Sequence, residues 1–310
     1  MIYTVTLNPS IDLYAVLDNL NLGEYNHIKY ETVLPGGKAI NVSRVLSSLR
    51  IPTVATGFVG GFQGDFIRDW LKKEDITADF VNIEGQNRTN LKIFENYRET
   101  VVNFKGPNIS SEEVDELLYY LSRVREGDVI IFGGSVPPME DGHDEDIYER
   151  LVSVAKSNNA HFVADVPSQY LESLVKAKPV LIKPNGEDIE KIFAAEIHDK
   201  YDYIPYGKEL VKMGASNVII SYGAQGSMLF TKDKIYTSSE IDDGREIINT
   251  VACRDAMIAG FLGTMVKDNN PLESYKVSVA AASATARVLD LPNYEEIMAM
   301  LPYVEVEELE

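Results

Sequence analysis

The residues with the most evident chemistry lie late in the chain. Residues 249–261 read Asn-Thr-Val-Ala-Cys-Arg-Asp-Ala-Met-Ile-Ala-Gly-Phe. Asn249 and Thr250 are turn and cap types. From Ala256 onward, Met257, Ile258, Phe261, Leu262 and Met265 have the spacing of a buried helix. Asp255 then falls at or just before the first turn, where backbone N–H groups have no helical partner and the dipole favours negative charge. A carboxylate there is a helix cap or, beside an anionic substrate, a catalytic base. A second stretch reads Pro35-Gly36-Gly37-Lys38-Ala39-Ile40-Asn41-Val42. Its paired glycines allow a sharp turn and close approach to a ligand. Lys38 and Asn41, three apart at a helix start, can face one spot. The spacing is not that of a Walker A loop, which needs Ser or Thr after the lysine. In a third stretch, residues 88–94, alternation puts Arg88, Asn90 and Lys92 on one strand face. These three either hold a phosphate or are solvated.

The elements that must position these residues follow from periodicity. Short strands are predicted over 2–7, 11–17 and 28–34, then a helix with Ile40, Val42, Val45, Leu46 and Leu49 on its apolar side. A strand over 53–59, a helix over 62–71, a strand over 80–83 and a hairpin partner for residues 88–94 at 100–104 come next. From residue 110 strands and helices alternate. The strands at 128–132, 161–164, 180–182 and 217–220 are almost wholly apolar, and helices fall at 110–124, 146–157, 171–177 and 206–213. Continuous apolar strands between helices predict an α/β fold with a mostly parallel central sheet covered on both faces. Ligands in such folds bind at the carboxyl ends of the strands. The polar punctuation falls there, at Ser135, Asp165, Lys183, Asn185 and Ser221. The last third reads as helices over 256–267, 272–289 and 294–300, followed by an acidic end at 304–310 expected to be a strand fraying into a solvated tail.

The 310 residues contain 48 acids and 29 bases, a net charge of −19. This balance argues against nucleic-acid and membrane-surface binding but not against an anionic small molecule in a locally basic pocket. The single cysteine, Cys253, excludes an intramolecular disulfide. His27, His143, His161 and His198 have no metal-ligand spacing. The first residues lack the pattern of a signal peptide and no apolar run is long enough to span a membrane, so a cytoplasmic location is expected.

Several stretches together carry a family resemblance. They are Thr6-Leu7-Asn8-Pro9-Ser10-Ile11-Asp12, residues 36–46 from Gly36-Gly37-Lys38, residues 88–93, Gly134-Ser135-Val136-Pro137, Lys183-Pro184-Asn185, Ser221-Tyr222-Gly223-Ala224-Gln225-Gly226 and residues 249–261. Over nearly its full length the chain resembles the ribokinase-like (PfkB) carbohydrate kinases, in the branch of 1-phosphofructokinases and tagatose-6-phosphate kinases. The resemblance implies one ribokinase-like domain over residues 1–310, with a small lid sheet from strands near 11–34 and 88–104 that excludes water and can form a homodimer contact. It implies transfer of the γ-phosphate of ATP, with Mg²⁺, to fructose 1-phosphate. Tagatose 6-phosphate kinase is the nearest alternative, and a pseudokinase that binds nucleotide or sugar phosphate is the other. By the same resemblance Asp255 is the general base, and the N–H groups of residues 252–255 hold the developing charge. Asp12, Gly37 and Asn41 would hold sugar hydroxyls. Lys38, Arg88 and Ser135, with Asn90 on the same strand face as Arg88, would meet phosphate or the anionic end of the sugar. Lys183, Asn185, Ser221, Gly223 and Gly226 would follow the nucleotide, and Asp188 its metal.

The chain departs from the family pattern at sensitive places. Ala252-Cys253-Arg254-Asp255 stands where Gly-Ala-Gly-Asp is usual. A side chain at either former glycine is strained if φ is positive there. Arg254 is then either a charge clamp on phosphate or a sign of a damaged anion hole, and loss of one such donor costs roughly 10²–10³ in rate. Ala39 replaces a glycine, Asp188 a glutamate, Val101 a common glutamate and His27 a frequent arginine.

Overall fold

The computed structural model describes residues 1–95, 98–140, 142, 146–248, 250 and 252–310. Asn249, Val251 and His143 lie outside the described residues. Runs such as Val129-Ile130-Ile131-Phe132 have no polar face, so they form stable strands only where both sides are covered. Both sides are covered here. Ile130, Phe132, Phe162, Ala164, Ile182 and Ile220 enter one core, with Leu117, Leu151, Leu174 and Leu210 from helices. Val129, Ile131, Val163, Leu181 and Ile219 enter a second core, with Val45, Leu46, Ile258, Phe261 and Val279.

The strands between these cores are parallel. In spatial order they are Val218–Ser221, Leu181–Ile182, His161–Asp165, Val129–Gly133, Ile2–Thr6 and Thr53–Val59. Ser227–Phe230, Ile235–Ser238 and Glu307–Glu308 extend the Val218–Ser221 side as antiparallel strands. A separate four-stranded sheet is ordered Tyr30–Gly36, Ser10–Val16, Arg88–Glu95, Arg98–Val102. Its central pair is parallel and its outer pairs antiparallel. This is the small sheet expected from residues 11–34 and 88–104.

Helix Cys253–Asp268 packs directly on helix Pro271–Thr285. A Cβ at Gly260 would lie 2.7 Å from the carbonyl oxygen of Val277, so glycine is needed for the helices to approach this closely. The contact fixes the start of Cys253–Asp268, and with it Asp255, against the main sheet.

Three sequence expectations need correction. Helix Gly186–Phe193 was not predicted. Its eight residues are too few to display a full apolar stripe, although its capping box is written in the sequence. The hairpin Ser227–Phe230 with Ile235–Ser238 was also missed. The acidic end forms only the two-residue strand Glu307–Glu308, which is paired with Ile235–Ser238.

Candidate active site

The lid sheet positions one half of the site through its register. Where Ser10–Val16 runs parallel to Arg88–Glu95, Ser10 stands opposite Arg88, Asp12 opposite Asn90 and Tyr14 opposite Lys92. Asp12 Oδ1 accepts from Ser10 Oγ (2.8 Å) and from Asn90 Nδ2 (3.0 Å). Lys92 Nζ lies 2.7 Å from Asp12 Oδ2 and donates to Tyr14 Oη at 2.9 Å. Arg88 donates from Nε to the Asn8 carbonyl and from Nη1 to the Phe104 carbonyl, each at 3.2 Å. Asn8 Nδ2 donates to Ser135 Oγ at 3.3 Å.

Beneath this face is a cavity of about 440 Å³ lined by Asp12, Gly37, Lys38, Asn41, Arg88, Asn90, Ser135, Arg254 and Asp255. All seven residues expected at the sugar are therefore brought together. Lys92, Glu99, Val101 and Asn103 also line it. His27 is exposed and lies outside the cavity. Gly37 is the N-cap of helix Lys38–Ser48 at φ 131°, and a Cβ there would lie 2.7 Å from Thr6 Cγ2. This turn aims Lys38 and Asn41 into the cavity.

A second cavity of about 350 Å³ lies along the ends of Leu181–Ile182 and Val218–Ser221. Lys183, Asn185, Ser221, Gly223 and Gly226 line it, all five expected at the nucleotide. Its remaining wall is largely apolar, with Ile247, Met257, Val279, Ala282 and Ala286. The Lys183 side chain is buried, and Nζ donates to Ser221 Oγ at 2.9 Å. Burial, then the neighbouring Arg254, pushes its pKa down to about 7. Asn185 caps helix Gly186–Phe193: its Oδ1 accepts from the Asp188 N–H (2.8 Å), while Asp188 Oδ2 accepts from the Asn185 N–H (3.0 Å).

The two cavities meet at the start of helix Cys253–Asp268. Asp255 is 4 % exposed, and its Oδ2 accepts from Asn41 Nδ2 at 2.8 Å. Burial, then the negative charge of Asp165, raises its pKa to about 7. A carboxyl poised near neutrality is suited to accept a proton. Arg254 lines both cavities. Its Nη2 donates to Asp165 Oδ1 (2.9 Å) and to the Lys183 carbonyl (3.1 Å), and lies 3.5 Å from Asp188 Oδ2. Lys38 Nζ donates to the other Asp165 oxygen at 2.8 Å.

The positive φ that would strain a side chain at Ala252 or Arg254 is absent. Ala252 is the N-cap at φ −95°, and Arg254 lies within the helix with no positive φ. No side chain caps this helix start. Ala252 is buried and lines neither cavity, and Cys253 lines the second. Burial raises the Cys253 thiol to about 11, which keeps it protonated at neutral pH. Asp188 also lines neither cavity.

The sequence profile of the pfkB family carbohydrate kinases matches residues 5–291. The chain belongs to this family. Among pfkB relatives, the 1-phosphofructokinase of Bacillus subtilis (strain 168) is 36% identical over 309 residues, covering 100% of both chains. The D-tagatose-1-phosphate kinase of Bacillus licheniformis is 33% identical over 287 residues, 92% of each chain. A solved structure of phosphofructokinase-2 from Escherichia coli, in complex with substrates and products, superposes with a TM-score of 0.91 over 97% of this chain and 98% of that one. At 22% identity that likeness supports the ribokinase-like pfkB fold alone. Sequence marked Asp165 and Lys92 as candidates but gave neither a role in the site. Asp165 carried a signal, as the acid ending an apolar strand. Lys92 carried a weaker one, its face shared with Arg88 and Asn90; its pairing with Asp12 depends on a register that sequence does not display.

Proposed function

We propose that this kinase transfers the γ-phosphoryl group of ATP to fructose 1-phosphate, giving fructose 1,6-bisphosphate and ADP. One observation carries the reading: Asp255 lines the lid-side cavity next to Arg254, which both cavities share, and is held by Asn41 and raised toward neutral pKa. The sugar enters the lid-side cavity with its phosphate toward Lys38, Arg88 and Ser135 and its hydroxyls toward Asp12, Asn41 and Asn90. ATP lies in the second cavity, its base on the apolar wall and its phosphates toward Lys183, Asn185 and Ser221, beside Gly223 and Gly226. The 6-hydroxyl oxygen forms a bond to the γ-phosphorus as the bond to the ADP oxygen breaks. Asp255 takes the hydroxyl proton. The helix dipole and the backbone at residues 252–255 stabilise charge on the transferred group.

Mg²⁺ enters this reading as the companion of the ATP phosphates, the usual way this ion is carried. The chain itself fits a resident ion poorly. Asp188 is committed to its helix start and faces Arg254, and the described residues hold no cluster of three His, Cys, Asp or Glu side chains suited to a metal. No helix among the described residues is long and apolar enough to cross a membrane. Exposed Leu22, Tyr25, Ile28, Tyr30, Val102 and Phe104 on and beside the lid sheet support a homodimer formed through it. Light scattering coupled to gel filtration tests the dimer, and a monomer at micromolar concentration would refute it.

A second sugar is favoured by a specific observation. The relative with a tagatose substrate takes the 1-phosphate, which moves the alternative from tagatose 6-phosphate to tagatose 1-phosphate, the C4 epimer of fructose 1-phosphate. A coupled ADP-release assay with fructose 1-phosphate, tagatose 1-phosphate, tagatose 6-phosphate and fructose 6-phosphate decides among them. Highest kcat/KM on fructose 1-phosphate is expected. Bound nucleotide with no turnover of any sugar would leave the pseudokinase reading instead.

A further inference from the structure

We propose that Arg254 is a built-in cation that holds the place between Asp165 and Asp188 where a protein-bound divalent ion would otherwise sit. The inference rests on the nucleotide reading of the second cavity. Asp165 ends strand His161–Asp165 and Asp188 lies in the first turn of helix Gly186–Phe193, so the carboxylates come from separate elements and converge on Arg254, which lines that cavity. Two carboxylates beside a polyphosphate make a repulsive arrangement unless a cation stands between them.

Arg254 supplies that cation. One nitrogen, Nη2, is 2.9 Å from Asp165 Oδ1 and 3.5 Å from Asp188 Oδ2, and it also donates to the Lys183 carbonyl at 3.1 Å. A carbonyl and two carboxylate oxygens around one positive centre is the donor set a hard divalent ion takes. Lys38 fills the other Asp165 oxygen, and the Asn185 N–H fills the Asp188 oxygen nearest Arg254. Little donor capacity is left for a metal while the guanidinium is in place. Arg254 Nε is buried and has no acceptor among the described residues, so the fork keeps a donor for an incoming phosphate oxygen. A guanidinium, unlike a metal ion, cannot dissociate and does not lose its charge at neutral pH.

The test uses Mn²⁺ as the probe on the full chain without nucleotide or sugar, with free Mn²⁺ read by electron paramagnetic resonance. The wild-type protein is expected to leave Mn²⁺ free. Arg254→Ala uncovers two carboxylates and is expected to bind one Mn²⁺ about tenfold or more tightly than wild type. Adding Asp188→Asn to that variant should abolish the gain. If the alanine variant does not fold, Arg254→Gln removes the charge, keeps most of the length and carries the same expectation. Mn²⁺ binding by wild type that Asp188→Asn abolishes, or folded Arg254 variants that gain no Mn²⁺ site, would overturn the proposal. The readout involves no turnover. A protein inactive on fructose 1-phosphate that shows the expected Mn²⁺ pattern loses the proposed function and keeps this inference.

Discussion

The two cavities that meet at Thr250 and Arg254, beside Asp255, are built on opposite principles. The lid-side cavity is a web of buried charge, in which Asp12 takes bonds from Ser10, Asn90 and Lys92, and Arg88 is anchored by two carbonyls. The second cavity, proposed for the nucleotide, has a largely apolar wall, with Lys183, Glu240, Arg254 and Arg287 as its charged lining. A buried polar network fixes geometry tightly, but removing one member leaves the others unpaired. An apolar wall accepts a flat base with little directional demand, and truncating it loses only area. On the proposed function, the comparison implies that sugar recognition is sensitive to single changes and nucleotide binding forgiving, with Asp255 as the proposed base beside both.

Asp255→Asn should have the largest effect. It keeps the shape and removes the proposed base, so kcat should fall by about 10²–10⁴ with little change in either KM; steady-state kinetics and titration calorimetry of both ligands separate these. The same variant should also be more stable. Because the folded pKa of Asp255 is raised to about 7, the folded state binds the proton more tightly than the unfolded state does. Ionisation therefore erodes wild-type stability as pH rises from about 4 to about 7, and the melting-temperature advantage of Asn should widen over that window and then level off.

Lys92→Met tests whether the lid-side network stands or falls as a unit. It strands Asp12 without its cation and should cost about 3–5 kcal/mol in denaturant unfolding. A loss under about 1 kcal/mol would show that the network relaxes as easily as the apolar wall. Arg88→Ala should raise the KM for the phosphosugar about 10–100-fold while leaving that for ATP unchanged. An equal effect on both substrates would erase the distinction between the cavities. Ile247→Ala should be mildest. This half-exposed side chain on the apolar wall should raise the ATP KM about 2–5-fold and leave the sugar KM alone.

The candidate site was legible in the sequence where local pattern carries it. Arg88, Asn90 and Lys92 share a face because strands alternate, and Lys38 and Asn41 share one because a helix start places them so. Asp255 could be read as a helix-start acid, and the ordered motifs made it a candidate base. Contacts set by long-range geometry were not legible. The parallel register that pairs Asp12 with Asn90 and Tyr14 with Lys92 joins segments almost eighty residues apart. For Arg254, which replaces a glycine, the sequence left open strain at a positive φ, a charge clamp on phosphate or a damaged anion hole. The helix begins early enough that Arg254 takes ordinary helical geometry and reaches across to Asp165 and Asp188. The fold was legible in its parallel, apolar strands and less so in short or partly polar pieces such as Gly186–Phe193 and Ser227–Phe230, where periodicity has too few residues to register.

The central claim is that Asp255, poised near neutrality at the meeting of the two cavities, accepts the proton during transfer to fructose 1-phosphate. The most direct measurement is kcat/KM for fructose 1-phosphate from pH 5.5 to 8.5 at saturating ATP, read by ADP release. The expected profile rises about tenfold per pH unit below the pKa of about 7 and levels off above it, because only ionised Asp255 can take the proton. A profile flat across that range would contradict it.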